Sequence, residues 1–539
     1  MTTTLNQRGN LDFFEGVASF DPSQDKVILW TRYTPAANET AKPTIILDVS
    51  KESDFKQVLV SESVEIDTAN DNTIHVDISN LQSNTKYFYR FRNDRSGSTS
   101  ITGETKTLPK SNEVSQIKLA VVSCSNFQAG LFNVYGAVAE SDADVVIHLG
   151  DYIYEYAAGG YGSNGNTGQL NRVHKPEGEI VSIDDYRTRY RQYRGDEQLQ
   201  KAHQHKPFIC VWDDHEIAND AYKNGAENHQ SNEGDFATRK ANALQVWHEY
   251  LPARVLEHAR IYRAFDFGGI LNLMMLDTRI IGRDQQLDYN NYVSEVGLNV
   301  PAFLADWQNP NRTILGVEQR NWLLSTLSSS NASWQVLGSQ VLMGKILIPA
   351  EMLLLTAQIA AGAVTPELFA QYNKTVSELV TIKTKMAMGQ PVSNEEKARV
   401  ETVLPYNLDA WDGYPAEREA ILASVLEKNL VSLAGDTHNA WYSKLSTASK
   451  QVVGAEIATP SVSSPGFEAI FGADPTAIQG FEQANAVLVD DLEYLNASER
   501  GFVLATFTKA EVQAEWKYVS TLATKNTAVT TKKTITITR

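Results

Sequence analysis

Four short apolar runs in this sequence end in side chains that bind metal ions. VVSCSN (121–126) carries Cys124, HLGDYIYEY (148–156) carries Asp151 and Tyr154, VWDDHE (211–216) carries Asp213, Asp214 and His215, and SLAGDTH (432–438) carries Asp436 and His438. A thiolate at Cys124, a phenolate at Tyr154, the Asp151 carboxylate and the His438 imidazole suit a strongly Lewis-acidic ion such as iron(III) rather than calcium or magnesium. Asp213, Asp214 and Asp436 offer oxygen alone, which favours calcium or magnesium over zinc. Hydrolysis of a phosphate ester at two metals needs a bridging carboxylate, terminal ligands for each ion and a hydroxide between them. Asp151 is the natural bridge, because Gly150 before it lets the chain turn sharply. His215 is expected to protonate a leaving oxygen or stabilise charge in the transition state. Asn126 is expected to hydrogen-bond a phosphoryl oxygen, and Arg279, after MMLDT, is a candidate cationic contact.

Each fragment alone has a plainer meaning. A solitary GDxxY is more often a turn with a surface acid, and Asp213-Asp214 has the composition of a helix cap. A single His438 is an ordinary loop histidine about as often as a ligand. Cys210, inside FICVW, has the surroundings of a small core residue. Together the fragments favour a site, because every tip follows an apolar run and each supplies a different kind of donor.

For the tips to meet, these runs must be buried strands of an α/β sheet, whose carboxyl ends collect ligands. From about residue 115 strand-like and helix-like segments alternate, as a layered α/β fold requires. DDYRTRYRQYRGDEQLQKAH reads as helix leading into FICVWDD, IYRAFDFGGILNLMMLDTR as a hairpin, and residues 350–402 as a helical insertion. The tail TAVTTKKTITITR has the composition of an edge strand. Residues 12–108 differ. Short β-like segments such as KVILWTRYT, TIILDVS and TKYFYRFRN alternate with turn clusters such as AANETAKP and DTANDN, the pattern of a β-sandwich. LQSNTKYFYRFR resembles fibronectin type III domains. The expected division is an amino-terminal β-sandwich at 1–110 and a catalytic domain at 111–539.

Bulk composition narrows the function. At 539 residues two domains are expected. A net charge of −17 argues against a general nucleic-acid binder or a stable nucleic-acid partner. It leaves room for a phosphate ester, because bound cations reverse the local sign. The two cysteines end separate strands, so no disulfide scaffold is expected. MTTTLNQRGN has neither an apolar core nor paired arginines, so no signal peptide is visible. The most apolar stretch, MLLLTAQIAAGAVTPELF, is interrupted by polar residues and proline, so no transmembrane segment is expected. A monomer is the expected state.

SCSN, HLGDYIYEY, WDDHE, LPYNLDAWDGYPAERE, LAGDTHNAW and EIATPSVSSPGFE resemble the phrases of the alkaline phosphatase D (PhoD-like) family of metallophosphoesterases. FFEGVASFDPSQDKVILWTRYTP resembles that family's amino-terminal β-sandwich, so the likeness covers most of the chain. It implies a four-layer α/β/β/α core preceded by the sandwich, and iron(III) held by Tyr154 as in purple acid phosphatases. It places Cys124 where the superfamily's D-x-H motif has its first aspartate. Asp213-Asp214-His215-Glu216 stands for G-N-H-E, and Gly435-Asp436-Thr437-His438 for G-H-x-H. These replacements imply one or two calcium ions in the second site. The motif alignment favours Asp214 over Asp213, and both stay candidates. The implied activity is hydrolysis of small phosphate monoesters, and often diesters, by a metal-bound hydroxide attacking in line, with periplasmic or secreted localisation through the twin-arginine route. The chain departs from the family in showing no twin-arginine leader and in reading SFDP at 19–22 where SGDP is commoner. The rival readings are a diester-preferring, phospholipase D-like enzyme and a calcium-binding surface protein.

Overall fold

Val145–His148 and Pro207–Cys210 are buried at every position, as strands covered on both faces must be. The computed structural model that contains them describes residues 11–35, 43–294, 297–360, 365–471 and 475–539. The amino-terminal stretch 1–10 and the turn cluster at 36–42 lie outside the described residues.

Two large sheets carry the architecture. The nine-stranded sheet runs, in spatial order, Val529–Thr538, Glu511–Val519, Gly501–Thr508, Gln116–Val122, Val145–His148, Pro207–Cys210, Val17–Phe20, Val27–Arg32 and Thr73–Ile78. Its centre is parallel, with Val122 opposite His148 and His148 opposite Cys210. Three strands therefore end level, and Cys124, Asp151 and Asp213 follow at one edge. The seven-stranded sheet runs Arg263–Phe267, Leu271–Met275, Trp334–Gly338, Leu430–Ala434, Val452–Ala458, Ala440–Ser446 and Leu492–Asn496. Its parallel centre delivers Arg279 after Met275 and Asp436 after Ala434.

The side-chain period of two divides these strands between cores. Leu271, Leu273, Met275, Val336 and Val431 face the first core, together with Val121, Ile147 and Ile209 of the other sheet. Met274, Leu337, Leu430 and Ala434 point the other way, toward Leu323 and Ile421 of the helices Gly316–Ser329 and Pro415–Ala423. The result is the expected layered α/β/β/α arrangement.

The amino-terminal sandwich has an unusual second layer. Its four-stranded sheet, Val58–Val64, Ile45–Ser50, Lys86–Asn93 and Gly103–Lys106, packs Leu47, Val49, Tyr89 and Phe91 against Val17, Leu29, Ile74 and Ile78. Those last residues belong to the large sheet, which they join through parallel pairing of Ser19 with Pro207. Val17–Phe20 is buried throughout because Val17 faces the sandwich core while Ala18 and Phe20 face the main one.

The tyrosine- and arginine-rich segment forms two helices, Ile183–Arg194 and Glu197–His205, rather than one. Asp196 starts the second by accepting from Gln198 N and Leu199 N, a strong N-cap that competes with continuation. In the insertion, helices Ala350–Ala360, Pro366–Ala387 and Asn394–Glu401 form. They pack through Leu379 and Ile382 into the core that also holds Leu488. The tail forms the edge strand Val529–Thr538. Both cysteines are free and buried. Among the described residues no helix is long and apolar enough to cross a membrane.

Candidate metal centre

The strand tips reverse sharply. Cys124, Asp151, Asp436 and His438 all have positive φ, between 55° and 64°. Such left-handed conformations are costly for residues with side chains, and they cluster where function demands a fixed direction. Two tips are tied directly, since Cys124 N donates to Gly150 O at 3.2 Å and Ser125 N to Asp151 O at 2.8 Å. Glu216 ties in the third: its carboxylate accepts from Asp213 N at 2.7 Å, Tyr152 N at 2.6 Å and Asp151 N at 3.0 Å. Gly150 has φ of 102°, and a Cβ there would collide with Asp213, so glycine is required.

Cys124, Asp151 and His438 bring donor atoms within 4.8 Å of one another. The Tyr154 hydroxyl donates to Asp151 Oδ2 at 2.9 Å, accepts from Ser464 Oγ at 2.7 Å and lies 3.0 Å from His438 Nε2. His438 Nδ1 lies 2.8 Å from Pro465 O, which keeps the proton on Nδ1 and leaves the Nε2 lone pair toward Asp151 and Tyr154. Burial, reinforced by the Asp151 charge, pushes the Cys124 thiol and the Tyr154 phenol well above their ordinary values. Without a cation both are neutral.

Asp213, Asp214 and Asp436 form an oxygen-only group, and Asp151, Asp214 and His215 a third, each within the same 4.8 Å limit. Asp151 and Asp214 each belong to two groups, so the three form one continuous constellation. The buried Arg279 guanidinium sits among the acids. Its Nε contacts Asp213, its Nη2 lies 2.7 Å from Asp436 Oδ1 and 3.6 Å from Asp214 Oδ1, and its Nη1 lies 2.7 Å from Asp409 Oδ2. Burial drives Asp213 and Asp436 upward against the pull of Arg279. For Asp214 burial also pushes up, but Arg279 and His215 outweigh it and hold the group below the usual range.

His215 Nδ1 lies 2.7 Å from Glu155 Oε2, while Glu155 Oε1 accepts from Asn219 N and Asn228 Nδ2, each at 2.8 Å. Burial is the largest influence on His215 and favours the neutral ring, yet Asp214 and Glu155 overcome it and raise the imidazole's pKa. Asn126, two residues after Cys124, makes two hydrogen bonds to backbone. Its Oδ1 accepts from Gln128 N at 3.0 Å, capping a short helix, and its Nδ2 donates to Tyr161 O at 3.0 Å.

The residues present fit metal cations. Asp151 Oδ1 and Asp213 Oδ2 are buried without a hydrogen-bond partner among the described residues, one in each half of the constellation. Buried carboxylate oxygens are rarely left so, and a cation satisfies both. Glu155, Glu216, Asp409, Tyr161 and Ser464 had not been singled out from sequence. Glu155 and Glu216 sit within motifs already marked, and adjacency to the donors was their available signal. Asp409 lies in the phrase LPYNLDAWDGYPAERE, after the short strand Val403–Pro405 of a separate two-stranded sheet, and only the tertiary fold brings it to Arg279.

Known proteins resemble this chain in sequence and in fold. A family model for PhoD-like phosphatase matches residues 119–516, and one for the PhoD-like phosphatase N-terminal domain matches residues 2–109. Alkaline phosphatase D of Bacillus subtilis (strain 168) is 31% identical over 540 residues, spanning 96% of this chain and 80% of the relative. The solved structure of PhoD superposes with a TM-score of 0.75 at 27% identity, covering 98% of this chain and 90% of that one. A purple acid phosphatase, PPD1 from yellow lupin seeds, shares the fold with a TM-score of 0.51 at 11% identity, covering 97% of this chain and 74% of that one. The calcium-binding surface protein considered above is set aside by these likenesses. Matched along nearly its whole length, the chain belongs to the PhoD-like phosphatase family and is a metal-dependent phosphatase.

Proposed function

We propose that this phosphatase hydrolyses small phosphate esters where Cys124, Asp151, Tyr154 and His438 hold iron(III), and Asp213, Asp214 and Asp436, with Asp151 shared, hold one or two calcium ions. The observation that carries this reading is the junction of a mixed thiol, phenol and imidazole set with an oxygen-only set through Asp151 and Asp214. Cations held there supply Lewis-acid polarisation of the phosphoryl group and activation of water.

The chain's own part is positioning and proton management. Glu155 holds His215 by Nδ1, so its other nitrogen serves the leaving oxygen, and the raised pKa keeps a proton available for it. Ser464 and Pro465 orient Tyr154 and His438. Asn126 retains one amide hydrogen for a phosphoryl oxygen after bonding Tyr161 O. Arg279 balances the acids rather than reaching for substrate.

The same proposal divides the chain at residues 110 and 111, supported by the separate core of the sandwich. It also takes the protein as an exported monomer, for which family resemblance is the support for export. The test is hydrolysis of an aryl phosphate monoester and the matching diester at alkaline pH, with calcium and again after chelation. Chelator-sensitive release of phosphate from the monoester is expected. Turnover unaffected by removal of all metal would overturn the reading, and a faster diester rate would reassign the preferred substrate.

A further inference from the structure

Tyr156 is not among the proposed metal ligands, and it stands at the edge of the centre, beside His215. The residue is partly exposed, and its ring lies 5.3 Å from the His215 ring and 5.7 Å from the Tyr161 ring, centroid to centroid. Tyr161 in turn stacks on His438 at 5.9 Å, and its hydroxyl lies 2.8 Å from His438 Nδ1. Tyr161 is thereby accounted for as a partner of His438. The Tyr156 hydroxyl makes no hydrogen bond with any described residue, so only the ring is left to explain the position.

The backbone beneath the ring is fixed. His174 Nδ1 bonds Tyr156 O at 2.9 Å, Ala158 N donates to Glu177 O at 2.8 Å and Gly159 N to Gln128 Oε1 at 2.9 Å. Beyond it the loop is Ala157-Ala158-Gly159-Gly160, and the space beside Gly159 is open. A rigid aromatic face with small neighbours, next to the proposed proton donor, is suited to stacking a planar group. Glu227 near it, an acid outside the proposed ligand set and not paired with His215, repels a second anionic group.

We propose that Tyr156, with Tyr161 beside it, is a leaving-group platform that selects phosphate monoesters of uncharged aromatic alcohols over those of aliphatic alcohols. This specificity rests on the phosphatase reading above. An aromatic leaving group on the platform sits beside His215, whereas an sp3 alcohol has no π face to stack.

The test compares phenyl phosphate with glycerol 2-phosphate on the metal-loaded enzyme, together with phenol binding followed by saturation-transfer NMR. In Tyr156→Ala, kcat/KM for phenyl phosphate should fall about tenfold, the scale of one aromatic stacking contact. The value for glycerol 2-phosphate should stay within about twofold. Tyr156→Phe should behave as the wild type, and phenol saturation transfer should be lost only in the alanine variant. Equal losses on both esters would make Tyr156 a packing residue of the site and overturn the platform, as would no loss on either. If the wild type hydrolysed neither ester, the phosphatase reading would fail, and phenol binding would still decide the platform.

Discussion

Glu216 and Asp151 are 65 residues apart, yet the Glu216 carboxylate accepts the Asp151 backbone N–H at 3.0 Å while its same oxygen accepts Asp213 N at 2.7 Å. One buried side chain thus sets the spacing of two strand tips. Burial, with the Asp151 charge next, raises Glu216 to about 8, and its three backbone donors work against that rise.

Removing this staple leaves buried donors unmet. Glu216→Ala should destabilise the protein by about 3 kcal/mol, given roughly 1–3 kcal/mol per unsatisfied buried group, and should lower metal content. Glu216→Gln, which keeps one acceptor, should fall between. Thermal melts and elemental analysis check both.

The donor sets are separable by spectroscopy. Cys124→Ala and Asp151→Ala should lose iron and turnover together. Tyr154→Phe should keep the fold but lose visible absorption from a phenolate–iron bond. Retention of iron and full activity in either alanine variant would sink the ligand assignment.

Arg279 lies among Asp213, Asp214, Asp409 and Asp436. Losing one partner of a buried ionic group costs about 3–5 kcal/mol. Arg279→Met should therefore melt well below the wild type in chelator. Added calcium should recover more stability in the variant, because more uncompensated carboxylate charge is available to it. An equal calcium response in both proteins would mean that the arginine does not balance these acids.

Buried histidines set an acid limit. Burial lowers His248 to about 3 and His174 to about 2, so the folded rings stay neutral while unfolded ones protonate near pH 6.5. Their contribution is complete above pH 6.5 and is lost as pH falls toward those folded values. Each should cost about 1.4 kcal/mol per pH unit below 6.5. Urea unfolding at pH 6.5 and 5.5 measures the slope. His248→Phe should be shallower by one histidine's share, whatever its stability at neutral pH, and an unchanged slope would remove His248 from this account.

Much of this was local enough to be legible in the sequence. An apolar run buried on both faces ends where polar residues begin, so VVSCSN, HLGD, VWDD and SLAGD marked both the strand ends and the donors on them. Asp196 after Gly195 marked a helix start that the long tyrosine-rich pattern obscured. Asn126 follows Cys124 by two residues, and its carboxamide spends an oxygen and one hydrogen on neighbouring backbone, leaving the second hydrogen for the proposed phosphoryl contact.

The sequence by itself determined the donor types, the strands that present them and the division between a sulfur-containing set and an oxygen-only set. The tertiary structure alone decided which distant groups meet. Tyr161 reaches His438 across 277 residues and Asp409 reaches Arg279 across 130. It also decided that Val17–Phe20 extends the main sheet, through pairing with Pro207 and Phe208. Periodicity and strand-end chemistry are carried by neighbouring residues. Register between sheets, and the loops that cross their shared edge, arise from packing the whole chain.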